Sequence, residues 1–309
     1  MGLEDDETEI VRQARELGRR GGIIGEDKLL VIQLLQSELL FSLCEGGALD
    51  GMALQGGAAL LRAYGGARLS SDLDFAAVAR PDIDALERAC SIAESRIREE
   101  FDTKARVRVK AGGHGGSSIV RMRAKVPMSH RVDVPHVFAE AEFAVVPAYT
   151  AAPRDVNGPL DVTRGPWLPL VPTEGPSELM ADKLVSAALA ARRVAETGRG
   201  PLRARDAVDV CWLRDVAGPD GREVGELVAR KERDYGVEPG TVAEWVCPYI
   251  EMLSGRGWKA LAEAASDVWD PGAMVRDGRD VVTGFAAACE DAGIGDDMSR
   301  WIANDVTSR

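Results

Sequence analysis

Apolar and polar positions along the chain mark out its elements before any chemistry is considered. Leu29, Leu30, Ile32, Leu34, Leu35, Leu39, Leu40 and Leu43 give residues 26–45 a broad apolar face at helical spacing. Residues 5–20 predict a polar helix that stops at Arg19-Arg20-Gly21-Gly22, since glycine readily adopts the backbone that ends a helix. Asp50-Gly51 then turns the chain into a short apolar strand at Met52. Helical spacing returns from Asp82 to Phe101 through Ile83, Leu86, Ala89, Ile92 and Ile97.

The pattern changes after Phe101. Lys104, Arg106, Arg108 and Lys110 alternate with Ala105, Val107 and Val109. Arg121, Arg123 and Lys125 alternate with Val120, Met122, Ala124 and Val126. Each stretch predicts a strand with one basic and one apolar face, joined as a long-loop hairpin. Arg131-Val-Asp-Val-Pro predicts another strand. Residues 147–176 are rich in Pro and Gly and predict a linker with some strand. A helix opens at Pro176 with Ser177 as cap and ends near Arg193; another begins at Arg205-Asp206. From Gly221 onward the pattern is helical, with Trp245, Trp258, Trp269 and Trp301 expected as core anchors. The elements predict an α+β fold: a mixed sheet with flanking helices over residues 1–170, then a mainly helical domain over 171–309.

Composition bounds this picture. With 309 residues and 45% hydrophobic content the chain can bury a substantial core. No apolar run approaches the ~20 residues of a membrane span, and the charged first twenty residues lack a signal-peptide core. No membrane association and a cytoplasmic location are expected. Five scattered cysteines without a Cys-x-x-Cys argue against a zinc site and a disulfide framework. His114, His130 and His136 show no catalytic or zinc-binding spacing.

The formal net charge of −12 taken alone opposes nucleic-acid binding. Residues 103–132 reverse it locally, with eight basic side chains and no acidic one. Like charges on neighbouring strands are destabilising. A solvated outer face is one reading of them, and a positive surface for nucleotide or RNA phosphates is the other.

The candidate chemistry lies between Met52 and Phe75. This stretch predicts a strand, a Gly56-Gly57 turn, a short helix from Ala58, a second Gly-Gly turn and a second strand. Side chains two apart on a strand share a face, so Asp72 and Asp74 project together while Leu73 and Phe75 face the core. Paired carboxylates repel unless a cation lies between them. An oxygen-only set with few protein donors suits Mg²⁺ (or Mn²⁺) that keeps water and substrate phosphates as its other ligands. Gly56 and Gly57 allow close backbone approach, and a helix starting there offers free N–H groups to a phosphate.

The order Gly-Gly…Asp-x-Asp resembles the signature of polymerase-β-like nucleotidyltransferases. More narrowly, LQGGAALLRAYGGARLSSDLDF resembles the first motif of the abortive-infection toxin nucleotidyltransferases of the AbiEii and MenT type. Ala58 stands where that family usually has Thr, and Leu69 where it usually has Phe. ELMADKLVSAALAARR…RARDAVDV resembles the second family motif, with Lys183 and Asp206 at its charged positions and Ala207 and Val208 in place of bulkier residues.

The resemblance implies a polymerase-β-like fold and a metal-dependent nucleotidyltransferase with NTP as substrate. Asp72 and Asp74 would be catalytic and metal-binding, and Lys183 and Asp206 catalytic. Gly56, Gly57, Arg68 and Ser70 would bind the nucleotide. A third metal carboxylate on a neighbouring strand is expected at Asp133, with Glu140 and Glu142 as rivals. The acceptor would be an RNA, with the 3′ end of tRNA foremost, and the toxin would have a cognate antitoxin. The basic hairpin and the arginines of the 192–205 loop would receive the RNA. A phosphate placed on Ser70 would repel the triphosphate. A protein or small-molecule acceptor, a DxD glycosyltransferase and a non-catalytic scaffold are the alternatives.

Overall fold

The leucine-rich run forms α2 (Asp27–Glu45), and it is buried nearly all round rather than along one face. A helix of that kind belongs inside a core. Its polar residues Gln33, Gln36, Ser37 and Glu38 are buried too, so each needs an internal partner. α1 (Glu9–Gly21) precedes it and ends at Gly22 in the left-handed conformation, as the sequence predicts. The computed structural model describes residues 6–23, 25–66, 68–111, 119–130, 135–161, 170–266, 278–295 and 298–302. They fall into two compact units, divided after Glu174.

The first unit holds a seven-stranded mixed sheet. Its strands are β1 (Met52–Gln55), β2 (Asp72–Ala77), β3 (Arg106–Ala111), β4 (Val120–Pro127), β5 (His136–Val145), β6 (Ala152–Arg154) and β7 (Val171–Thr173). They lie in the order β3-β4-β5-β2-β1-β7-β6. The β2/β5 and β1/β7 pairs are parallel and the others antiparallel. α3 (Gly56–Tyr64) links β1 to β2, and α4 (Ile83–Phe101) links β2 to β3. The Asp82 carboxylate caps α4 by accepting from the Asp84 N–H. α2 packs against β5 and α4 against β3. Leu73, Phe75, Met122, Ala124, Ala139, Ala141 and Phe143 fill the sheet's buried face. The Phe75 and Phe143 rings stack there at 5.2 Å.

The two basic stretches do pair as an antiparallel hairpin, β3 with β4. β5 is the strand that the pattern of the chain did not flag, although it sits in the middle of the sheet. The predicted strand at Arg131–Pro135, with Asp133, lies at positions 131–134 outside the described residues.

The second unit is helical: α5 (Pro176–Thr197), α6 (Ala204–Trp212), a π-helical turn (Leu213–Ala217), α7 (Gly221–Asp234), α8 (Thr241–Ser254), α9 (Trp258–Ser266), α10 (Gly278–Asp291) and α11 (Ser299–Ile302). α5 is capped from Gly175 with Pro176 in its first turn, so Ser177 lies inside the helix and is not the cap. It also runs past Arg193 to a left-handed Gly198. Trp258 is 38% exposed and Trp245 and Trp301 are half-buried, so these three are not the anchors expected, while Trp269 lies outside the described residues. Tyr249 and Phe285 hold that place, fully buried with ring centroids 5.1 Å apart. Among the described residues no helix is long and apolar enough to cross a membrane.

Candidate active site

Strand register decides which side chains of the open sheet face meet. Gln55 on β1 stands opposite Asp74 on β2, and Asp74 opposite Glu142 on β5. Glu142 stands opposite Arg121 on β4, and Arg121 opposite Lys110 on β3. Two residues along, Asp72, Glu140, Arg123 and Arg108 form a second row. Phe138, Lys125 and Arg106 form a third. Charge therefore grades across one face, acidic on β2 and β5 and basic on β4 and β3. Leu73 and Phe75 are fully buried on the opposite face, so Asp72 and Asp74 do project together.

The glycine turn meets this face directly. Gly56 has φ +68°, a conformation that side chains disfavour, and a Cβ there would fall 2.6 Å from Asp74 Oδ2. A Cβ on Gly57 would fall 3.2 Å from an Arg68 guanidinium nitrogen and from the Ser70 hydroxyl. Gly56, Gly57, Arg68, Ser70 and Asp74 thus converge around the first turn of α3. The helix begins at Gly56 itself, two residues before the predicted Ala58. Asp72 is exposed at the start of β2, and its carboxylate accepts from the Ser71 hydroxyl at 2.7 Å.

Ser70 also shapes the turn that leads into β2. It is buried, and its hydroxyl donates to the Asp72 carbonyl at 3.0 Å. Its own carbonyl accepts from Gln33 Nε2 at 2.6 Å and Gln36 Nε2 at 3.1 Å. Two buried amides of α2 therefore set the turn that delivers Asp72. Sequence reading missed both. Their signal was a pair of polar residues inside an apolar helix, each of which had to find a partner.

Glu140 and Glu142 flank the aspartates in register but turn toward the next strand. Arg121 donates to Glu142 at 2.5 Å, and Arg123 is ion-paired with Glu140. The bond it donates to Glu142 raises the pKa of Arg121 above its ordinary value. Among the described residues neither glutamate joins Asp72 and Asp74 in a cluster of three carboxylates, nor does any His or Cys. Two carboxylates with no soft ligand fit Mg²⁺ that completes its shell with water and phosphate oxygens.

In the second unit Lys183 is buried at 7% exposure, not a surface lysine. Its ammonium lies 3.0 Å from Asp206 Oδ1 and 2.7 Å from Asp209 Oδ2. Asp206 also pairs with Arg203. Asp209 escaped the sequence reading, although its i+3 spacing from Asp206 puts both carboxylates on one side of α6. A second buried cation, Lys231, lies 2.8 Å from Glu178 and 3.0 Å from Asp182. Burial raises the Asp182 pKa, against the pull of Lys231.

The family model "Nucleotidyl transferase AbiEii toxin, Type IV TA system" matches residues 38–271. Among solved structures the chain is similar to MenT4, the nucleotidyltransferase toxin Rv2826c from Mycobacterium tuberculosis H37Rv. That match has 20% identity, covers 94% of each chain and has a TM-score of 0.60. It is also similar to JHP933 from Helicobacter pylori, at 13% identity over 92% of this chain and 99% of that one, with a TM-score of 0.48. No curated protein matches the sequence. At these identities the likeness to MenT4 bears on the fold, the mixed sheet with flanking helices.

Proposed function

Because this chain belongs to the AbiEii nucleotidyl transferase toxins of type IV toxin–antitoxin systems, we propose that it transfers a nucleoside monophosphate from an NTP to an RNA, with the 3′ end of tRNA as acceptor. The observation that carries the reading is the seat of Asp74 against the Gly56 elbow, where an added Cβ would fall 2.6 Å from Asp74 Oδ2 on a strained backbone. A carboxylate held there, with Asp72 two residues away, faces the place where free N–H groups at the start of α3 would receive phosphates. Asp72 and Asp74 would hold a divalent ion, which when bound neutralises charge on the triphosphate.

The acceptor hydroxyl oxygen attacks the α-phosphorus, the bond to the β-phosphate oxygen breaks, and pyrophosphate leaves. Positioning and charge stabilisation are the main demands of such a transfer. The hydroxyl proton passes to a carboxylate of the Asp72/Asp74 pair. Gly57 leaves room for Arg68 to reach the phosphates. Lys183, oriented by Asp206 and Asp209, is proposed as a catalytic cation of the second unit. Ser70 acts through the backbone of Asp72. A cognate antitoxin is the partner that membership of a type IV system implies.

Wild type and Asp72→Ala should be compared with each α-labelled NTP, Mg²⁺ and total tRNA. Wild type should label RNA, and the variant should lose at least about 10²-fold of that rate, the scale of a misplaced reacting group. Equal labelling by both proteins, labelling of protein in place of RNA, or transfer only from a sugar nucleotide would each remove the proposal.

A further inference from the structure

The third row of the open face leads to a cleft that the transfer chemistry does not use. The cleft has a volume of about 720 Å³ and is lined by Arg98, Lys104, Arg106, Lys125, His130 and His136, with Asp102 as the one acid among its described lining residues. Arg98 is paired with Glu94. Lys104 and Arg106 are exposed and have no carboxylate partner among the described residues. In a chain of net charge −12 such a concentration creates a local positive potential.

Two further features point to the ligand. Thr103, in the wall of the cleft, is only 3% exposed, and its hydroxyl has no hydrogen-bond partner among the described residues. Buried polar groups are normally satisfied, so an orphan beside a cationic cleft marks a place where a ligand or water supplies the bond. Phe138 stands beside the cleft, opposite Lys125 in register, and is 42% exposed. The Arg123 guanidinium lies 5.4 Å and the Lys125 ammonium 5.9 Å from its ring centre. An open aromatic ring flanked by cations is the arrangement on which a nucleobase stacks while its phosphates are neutralised.

We propose that Phe138 and the adjoining cleft form a binding site for single-stranded RNA, the ring taking a base and Lys104, Arg106 and Lys125 the neighbouring phosphates. The inference rests on the reading of an RNA acceptor and sharpens it. Strand spacing of ~4.8 Å and a rise of ~3.3 Å per residue put Arg106 about 16 Å from Asp72 along the same face. The site would thus hold nucleotides a short way upstream of the reacting end. An acidic protein would meet the lysines and arginines equally well, but it has no base for the Phe138 ring.

The test is anisotropy of a labelled single-stranded oligouridylate with the full chain, in the absence of NTP. Lys104→Ser combined with Arg106→Ser should weaken binding at least tenfold and flatten the log–log salt dependence by about two phosphate contacts. Phe138→Ser should weaken it about tenfold, the scale of one lost base stack, and Phe138→Trp should restore it. In transfer assays the Lys104→Ser/Arg106→Ser and Phe138→Ser variants should raise KM for RNA and leave KM for NTP unchanged. Binding that both the double variant and Phe138→Ser leave intact would overturn the site, as would displacement of the RNA by polyglutamate at equal charge concentration. Transfer without any change in RNA KM would sink this inference alone. Binding with the expected variant pattern but without transfer by wild type would support it while ending the transferase reading.

Discussion

The glycine pair makes a sharp distinction between two adjacent positions. At Gly56 an added Cβ meets a carboxylate oxygen at 2.6 Å on a backbone of φ +68°. Alanine there is strained and also pushes Asp74 from its seat. At Gly57 the Cβ meets only the ends of two side chains at 3.2 Å. Gly56→Ala should therefore cost transfer about 10²-fold with the fold intact by circular dichroism, and Gly57→Ala about tenfold or less. A Gly56→Ala protein as active as wild type would show that Asp74 is not held by the elbow. The thiols offer a contrast: burial and nearby Glu87 and Glu94 push Cys90 up to about 12, so it has no reactive role at neutral pH.

Between elements, α1 and α2 are tied by Arg15, which donates to Asp27 at 2.6 Å and to both oxygens of Glu7 at 2.9 Å. The bond from Arg15 lowers the Asp27 pKa below its ordinary 3.8. A carboxylate with a depressed folded-state value contributes stability that is fully present above 3.8 and lost as pH falls through the lowered value. Asp27 is partly solvated, so the contribution is small, about 1 kcal/mol or less. Asp27→Asn should lose that amount in urea melts at pH 7, and the gap should close in acid below pH 3.8. A gap that stays constant to low pH would place the effect elsewhere, for instance in packing. The same scale explains why β5 was hidden. HVFAEAEFAV alternates fully, with Val137, Ala139, Ala141 and Phe143 buried. Alanine and glutamate are weak strand formers, so composition masked the alternation.

At the scale of the whole molecule, buried charge ties distant parts of the chain within each unit. Arg62 and Asp161 are both buried and lie 3.1 Å apart, 99 residues apart in sequence. Asp161 also accepts from Ser37 at 2.7 Å and from the Gly158 N–H at 2.6 Å. Burial lowers the Arg62 pKa and Asp161 opposes that shift. Asp161→Ala leaves a buried guanidinium uncompensated and should destabilise the protein by about 3–5 kcal/mol in urea unfolding. A loss under 1 kcal/mol would mean that water reaches Arg62. Nothing local in the sequence marks this pair: Arg62 lies within the Gly-Gly…Asp-x-Asp stretch, but no local feature points to Asp161 as its partner. By itself the chain specified its helices, the two basic strands, and the shared face of Asp72 and Asp74, since periods of 3.6 and 2 are written in adjacent residues. Only tertiary structure decided that Glu140 and Glu142 answer Arg123 and Arg121 instead of completing a trio with the aspartates, and that Gln33 and Gln36 hold the turn before Asp72. Those partnerships depend on which strands and helices become neighbours, and long-range register is a property of the assembled sheet.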